Sequence, residues 1–443
     1  LSGQDAPGRK SSGKDMSGKD PSGKDPSGKG SGRKGSGMIS VAEALSRVLA
    51  GIPGPVAAEA IAIGQAAGRT LGADLAALRT QPPFPASAMD GYAVRSADLD
   101  AAPVALRLVG TSSAGHGFAG AMGAGEAVRI FTGAPVPEGA DAILIQENAE
   151  AAPETVTARE SVPAGRFIRP SGLDFRAGDP LLKAGDVLDP RRIALAAAGG
   201  HAVLPVRRRP RVAILATGDE LVAPGEPARW DQIVASNGLA VAALVRESGA
   251  EAIDLGIAGD TLAALDNAIG RAVAAEADLL ITLGGASVGD HDLVQSALHA
   301  RGLDLGFWRV ALRPGKPLMH GRLGRMAVLG LPGNPVASVV CGLLFVVPAI
   351  RALLGNPHAA ADASEPAILG CDLAENDLRQ DYLRARIETA PDRLPVVYPE
   401  NRQDSSMLRI LGSAEALLIR APHAPAAKAG APCRILRLDR RLL

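Results

Sequence analysis

The sequence predicts a multidomain protein in which an α/β domain with a doubly wound parallel sheet is joined to β-rich regions. Three observations predict it. The chain has 443 residues, more than one core of ordinary size accommodates. From Arg209 to about Asn356, short apolar runs alternate with amphipathic stretches, the pattern of strands buried between covering helices. Residues 88–170 and 365–443 instead show short strand-like segments punctuated by Gly and Pro, which reads as β structure.

Each element follows in order. Residues 1–37 are a pentapeptide repeat, with SGKD at Ser12, Ser17 and Ser22 and SGKG at Ser27. Such composition buries too little apolar surface to offset its ordering entropy, so the tail is expected to be disordered. Its GxGxxG match at Gly30–Gly35 and near P-loop at Gly13–Lys19 neither follow a strand nor open a helix, so neither carries a phosphate signal. Met38 opens a sequence that reads as a natural start. A helix is expected from Ser40 to about Ala50, and residues 56–80 read as a second helical stretch broken around Gly68. Pro82-Pro83-Phe84-Pro85 is an extended segment, and helix returns at Arg191–Ala198.

In the α/β region, strands are expected at Arg211–Ala216, Ala252–Ile257, Asp278–Leu283, Leu305–Val310 and Met326–Leu329. Helices are expected at Asn237–Ser248, with Ser236 as N-cap, at Leu262–Glu276 and Leu293–Ala300, and from Pro335 onward. The longest apolar run, Val336–Ile350, is interrupted by Pro348. It falls short of the roughly 20 residues that span a bilayer, so it reads as a buried helix.

Composition narrows the function. Lys plus Arg equals Asp plus Glu at 47 each, but the tail holds eight cations against four Asp. The remaining body is therefore slightly acidic, which argues against non-specific nucleic-acid binding. Cys341, Cys371 and Cys433 are far apart and form no CxxC, so neither a zinc site nor a disulfide framework is signalled. With a hydrophilic N-terminus, the expected location is a reducing cytoplasm, away from membranes.

The loops after the strands carry the chemistry, because ligands of open α/β sheets bind at the carboxyl ends of the strands. Four matter: Thr217-Gly218-Asp219-Glu220, Gly259-Asp260, Gly284–Asp292, and Leu331-Pro332-Gly333-Asn334-Pro335. Arg313-Pro314-Gly315-Lys316-Pro317 lies between the last two. Glycines let backbone N–H groups approach a phosphate, and Arg313 and Lys316 add positive charge. Glu220, Asp260 and Asp292 would repel the same polyanion unless a cation intervened, so a divalent ion, Mg²⁺, is expected between them.

Ser87-Ala88-Met89-Asp90-Gly91-Tyr92-Ala93-Val94-Arg95 resembles a signature of the molybdopterin molybdotransferases, the MoeA proteins and the E domain of gephyrin. Phe131-Thr132-Gly133-Ala134-Pro135-Val136-Pro137 with Gly139-Ala140-Asp141 is similar to a second family motif. Thr217–Leu221, Gly284–Asp292, Arg313–Pro317 and Leu331–Ser338 match further motifs in order, over about residues 38–443. The resemblance implies an elongated linker domain at 38–76 and 171–207, and a β-rich domain at 77–170. It also implies a molybdopterin-binding α/β domain at 208–357 and a C-terminal β-barrel at 358–443.

The same resemblance implies insertion of molybdate into adenylylated molybdopterin with release of AMP, in a homodimer whose active site is shared between subunits. Contact with the upstream molybdopterin adenylyltransferase goes with this role. By motif position, Asp90, Asp174, Glu220, Asp260 and Asp292 become catalytic candidates, the last three also metal ligands. Thr132, Arg169, Gly284, Gly285, Ser287, Arg313, Lys316, Pro332, Pro335, Ser338, Arg384 and Ser405 become substrate contacts. The chain departs from the family at Leu283, where Ser is common, at Ala286, where Val is, and at Arg313, where Lys is. Gln403-Asp404-Ser405 also replaces a common Gln-Gly-Ser.

Three other readings compete with this one. Gly285-Ala-Ser287-Val-Gly289 matches the nucleophile elbow GxSxG. A hydrolase would also need a later acid and His, and His299, His320, His358 and His423 have no telling context. A non-catalytic dimeric scaffold of the same fold would not need the intact acidic and basic loops. The adenylyltransferase shares the α/β fold but lacks the 77–170 and C-terminal domains. His291, in the third loop, reads as a solvated loop residue.

Overall fold

A computed structural model describes residues 38–285 and 293–438. The repeat tail, and the expectations for Ser287, His291 and Asp292, lie outside the described residues.

The α/β core is a six-stranded sheet. Glu251–Ala258, Arg211–Thr217, Leu279–Leu283 and Met326–Leu331 lie side by side and parallel. Pro317–Leu323 and then Asp304–Arg309 extend the sheet antiparallel. The expected parallel sheet is therefore the four strands from the Glu251–Ala258 edge inward. The strand Pro317–Leu323 escapes the apolar-run pattern because it contains Pro317, His320, Gly321 and Arg322.

Alternation along Arg211–Thr217 shows why the sheet is covered twice. Val212 and Ile214 join a core with Val241, Val245, Val336 and Val340 on one face. Ala213 and Leu215 join Leu265, Ile269, Val294 and Leu298 on the other. Helices Asn237–Glu247 and Pro335–Cys341 thus cover one side, and Leu262–Ala274 with Leu293–Ala300 the other. Thr261 caps its helix by accepting from the Ala264 N–H at 3.2 Å. Ser236 occupies the expected cap position but makes no side-chain cap bond.

Pro348 does not end the last helix. A π-helical turn at Gly342–Val346 precedes it, and helix continues through Val347–Leu353. The wider turn accommodates the missing N–H and the bulk of the ring. The resulting 19-residue helix is long and apolar enough to cross a membrane by composition, but its apolar window is 67% buried within the protein. It is a core helix.

Residues 56–80 form no α-helix, and their helical content is one 3₁₀ turn at Ile63–Gln65. Ala58–Ala62 pairs antiparallel with Val203–Arg207, and Leu75–Ala76 with Pro180–Leu182. Alanine favours helix locally, but pairing with a segment far along the chain wins. Leu71, Leu75, Leu182, Leu188, Leu204 and Val206 then share one small core. Helix Val41–Ala50 forms as expected, with Ser40 accepting from the Glu43 N–H at 3.1 Å. Pro190–Ala198 is capped by Asp189.

Residues 91–158 form a second six-stranded sheet, in which Gly91–Val94 is flanked by Glu126–Ile130 and Ala142–Ile145. Beyond residue 364, a third sheet closes on itself, because Gln380–Glu388 pairs with both Val396–Pro399 and Ala416–Arg420. This is the expected barrel, and it recruits Leu312–Arg313 beside Gln380–Asp381.

Candidate functional site

The carboxyl ends of the four parallel strands gather the glycine loops. Gly218 has φ +143°, which an L side chain rarely adopts. A Cβ there would lie 2.3 Å from Glu220 Oε2, so the Glu220 carboxylate curls back over the turn. Asp219 Oδ1 accepts from the Asp260 N–H at 3.0 Å and ties the first loop to the second. At Gly284, with φ +93°, a Cβ would meet the Thr217 carbonyl at 2.8 Å, and backbone cannot yield as a side chain can. Asn237 Nδ2 donates to the Gly333 carbonyl at 2.7 Å and joins the fourth loop to a neighbouring helix start.

These turns enclose a cleft of ≈90 Å³ whose lining includes Thr217, Glu220, Leu283, Gly284, Gly333 and Pro335. Leu283, buried, gives it an apolar floor. Among the described residues, the side chains of Glu220 and Asp260 are exposed and make no hydrogen bond or ion pair. The same residues contain no group of three His, Cys, Asp or Glu able to hold a metal. Two unpaired carboxylates beside backbone turns suit a hard divalent cation that keeps waters and takes its other oxygens from a ligand.

The cationic loop lies at the same edge. Strand Pro317–Leu323 runs opposite to Met326–Leu331, with Met319 facing Gly330, so its start meets that strand's end. Lys316 is exposed, and its side chain makes no hydrogen bond or ion pair among the described residues. Arg313 is held by the barrel instead: it pairs with Asp377 and, at 3.3 Å, with Asp381. Burial raises the Asp381 pKa above the usual carboxylate range, against the opposing pull of Arg313. Arg313 Nε and Asp381 Oδ1 are buried without hydrogen-bond partners.

Two expected oxyanion holders sit differently. Ser338 is fully buried, and its hydroxyl faces the carbonyls of Pro332 and Asn334. Arg384 is also buried, with Nε donating to Gln403 Oε1 at 3.0 Å and Nη1 to the Asp404 carbonyl at 2.6 Å. Both brace loops: Ser338 the turn Pro332–Asn334, Arg384 the segment before Ser405. The Ser405 carbonyl accepts from the Val336 N–H at 3.1 Å, which brings that segment to the start of the core helix. Pro332 is buried, while Pro335 and Gly284 line the cleft and Gly285 is exposed beside it.

A second cluster lies in the β-rich region, where the two signature motifs interlock. Ser87 N–H donates to the Ala134 carbonyl at 3.0 Å, and Gly133 N–H to the Ser87 carbonyl at 2.8 Å. Thr132 donates both its N–H and its hydroxyl to Asp90 Oδ1, each at 2.7 Å. These two bonds hold the Asp90 carboxyl below its ordinary pKa. Arg129 lies over the rings of Tyr92 and Phe131, 4.9 and 5.0 Å from their centres. Gly91 is demanded by packing, since a Cβ there would lie 2.0 Å from the Leu144 carbonyl oxygen. Arg169 pairs through its backbone with Ala86, and the Asp174 N–H donates to the Gln81 carbonyl at 3.1 Å. Both side chains are exposed.

Sequence reasoning missed Asp219, Asn237, Asp377 and Gln403. Asp219 and Asn237 stand in or beside glycine loops already singled out. Asp377 and Gln403 gain their meaning only from the closure of the barrel.

Comparison with known proteins covers most of the described chain. Residues 39–200 match the model of the MoeA N-terminal region (domain I and II), 213–352 a probable molybdopterin binding domain, and 366–438 the MoeA C-terminal region (domain IV). The chain is 37% identical over 334 residues to a molybdopterin molybdenumtransferase of Haemophilus influenzae, covering 74% of this chain and 82% of that one. It is 37% identical over 370 residues to molybdopterin molybdenumtransferase 2 of Mycobacterium tuberculosis, covering 81% and 89%. A crystal structure of the molybdopterin biosynthesis MoeA protein from Pyrococcus horikoshii superposes with a TM-score of 0.78 at 25% identity, covering 90% of this chain and 99% of that one.

Proposed function

Because the chain belongs to the MoeA family and is a transferase of molybdenum cofactor biosynthesis, we propose that its strand-edge cleft inserts molybdate into adenylylated molybdopterin and releases AMP. The reading rests on one observation: Glu220 and Asp260, coupled through Asp219, stand exposed beside glycine turns and, among the described residues, without a cationic partner. Glu220, Asp260 and Asp292 would hold Mg²⁺, which supplies Lewis-acid polarisation of the pyrophosphate. The backbone at Gly284, Gly285 and Gly333 cradles phosphate oxygens, and Lys316 balances their charge. Leu283 and Pro335 exclude water from one side of the ligand. Asp90, ionised under the hold of Thr132, orients substrate with Arg169 and Asp174. Arg313 and the Ser405 loop receive the oxyanion, positioned by Ser338 and Arg384. No protein nucleophile is needed, because the dithiolene sulfurs themselves displace molybdate oxygens.

The two clusters act together in a homodimer, the Asp90 cluster of one subunit closing over the cleft of the other. The proposed domain boundaries remain 38–76 with 171–207, 77–170, 208–357 and 358–443. The working compartment is the cytoplasm, where the upstream adenylyltransferase hands over its product. Glu220→Gln and Asp260→Asn should each keep the fold and abolish insertion. Hybrid dimers of Asp90→Ala with Glu220→Gln should recover part of the activity. Wild-type turnover by both single variants, or no recovery once subunit exchange is demonstrated, would overturn this reading.

A further inference from the structure

Trp230 is 97% exposed. A large apolar ring left in water contributes nothing to folding through burial, so its position matters. It stands at the tip of a tight turn, Arg229–Gln232, closed by the Gln232 N–H on the Arg229 carbonyl at 3.1 Å. The Arg229 N–H donates in return to Gln232 Oε1 at 3.1 Å, and Arg229 Nε pairs with Asp231 at 3.1 Å. The turn is therefore built rather than loose.

It is also fastened to the cleft. Ile233 N–H donates to the Glu220 carbonyl at 2.7 Å, and Gln232 Nε2 reaches the Asp219 carbonyl at 3.5 Å. The next two residues, Ile233 and Val234, line the cleft while remaining 59% and 49% exposed. Ile233 and Val234 thus join the cleft wall directly to the turn that carries the indole. With a cavity volume of ≈90 Å³, the cleft is small beside ligand sites, which span about 300–1,000 Å³. A ligand carrying two ring systems must extend beyond it.

We propose that Trp230 is a substrate-binding residue, whose indole stacks on the fused heteroaromatic ring, adenine or pterin, that projects from the cleft. This rests on the function proposed above. An indole has only two side-chain torsions, so it offers a flat surface at small entropic cost. Ring stacking is indifferent to hydrogen-bond pattern, so it sets affinity and orientation without touching the reacting atoms.

The chain has two tryptophans, Trp230 and Trp308, so Trp308→Phe makes Trp230 the sole indole reporter. Titration with AMP, and separately with free pterin, should give saturable quenching with one of them, and that one names the ring. Trp230→Ala should raise KM for adenylylated molybdopterin about tenfold or more with kcat unchanged, and Trp230→Phe should restore most of the loss. Quenching by neither ring, or an unchanged KM in Trp230→Ala, would overturn the assignment while wild-type turnover upheld the parent reading. Emission that shifts with protein concentration in the absence of ligand would show a second copy covering the indole and would also overturn it. Absence of wild-type turnover would remove both.

Discussion

Replacing Arg384 by Met separates a brace from a ligand contact. Met keeps much of the length and apolar volume while removing the guanidinium. Two charge-assisted hydrogen bonds are lost, Nε to Gln403 and Nη1 to the Asp404 carbonyl. Each such bond is worth about 1.5–3 kcal/mol, and relief from burying a charge returns part of the sum. Gln403 Oε1 still accepts from the Arg384 backbone N–H, and the Asp404 carbonyl keeps only the longer bond from the Met407 N–H at 3.3 Å. The net cost should be about 2–4 kcal/mol. Read as local opening, this speeds amide exchange in strand Gln380–Glu388 by about 30- to 1,000-fold. Hydrogen–deuterium exchange followed peptide by peptide measures it directly. Turnover should fall as well, because the Ser405 segment loses its anchor. Wild-type exchange rates together with a raised KM for molybdate would refute the brace and return Arg384 to direct oxyanion contact.

Two further perturbations test the scaffold. Burial, opposed by the Val328 carbonyl, lowers the His320 pKa from its ordinary 6.5. Below that value the unfolded chain takes up the proton more readily, so this stabilisation is complete above about pH 6.5 and is lost as pH falls through the folded pKa. Urea midpoints should drop from pH 7.5 to pH 5 more in wild type than in His320→Gln, and equal drops would reject the linkage. At Gly91, any Cβ strikes the Leu144 carbonyl in the adjacent strand. Gly91→Ala should cost about 3 kcal/mol or more, visible as early thermal unfolding and protease nicking within residues 77–170. Wild-type melting would show that the signature glycine serves the ligand instead.

Local rules made some elements legible and tertiary pairing hid others. The helices at Val41–Ala50 and Leu262–Ala274 could be read because apolar spacing and a capping Ser or Thr agreed. Ala58–Ala62 could not, because its alanines favour helix and only Val203–Arg207 makes it a strand. Pro348 sits inside a helix because the preceding π turn accommodates it, and local pattern does not announce such a turn. The same division holds in the site. Gly218 and Gly284 were readable, since positive φ at strand ends is a backbone demand. Ser338 and Arg384 looked like ligands because hydroxyl and guanidinium groups suit oxyanions, and only their burial shows what they hold.

The most direct test is AMP binding by calorimetry, with and without Mg²⁺, in wild type and in the double variant Glu220→Gln, Asp260→Asn. The account predicts that Mg²⁺ tightens AMP binding in wild type and that the double variant loses this dependence. AMP affinity that ignores Mg²⁺ in wild type, or a dependence that survives in the double variant, would contradict it.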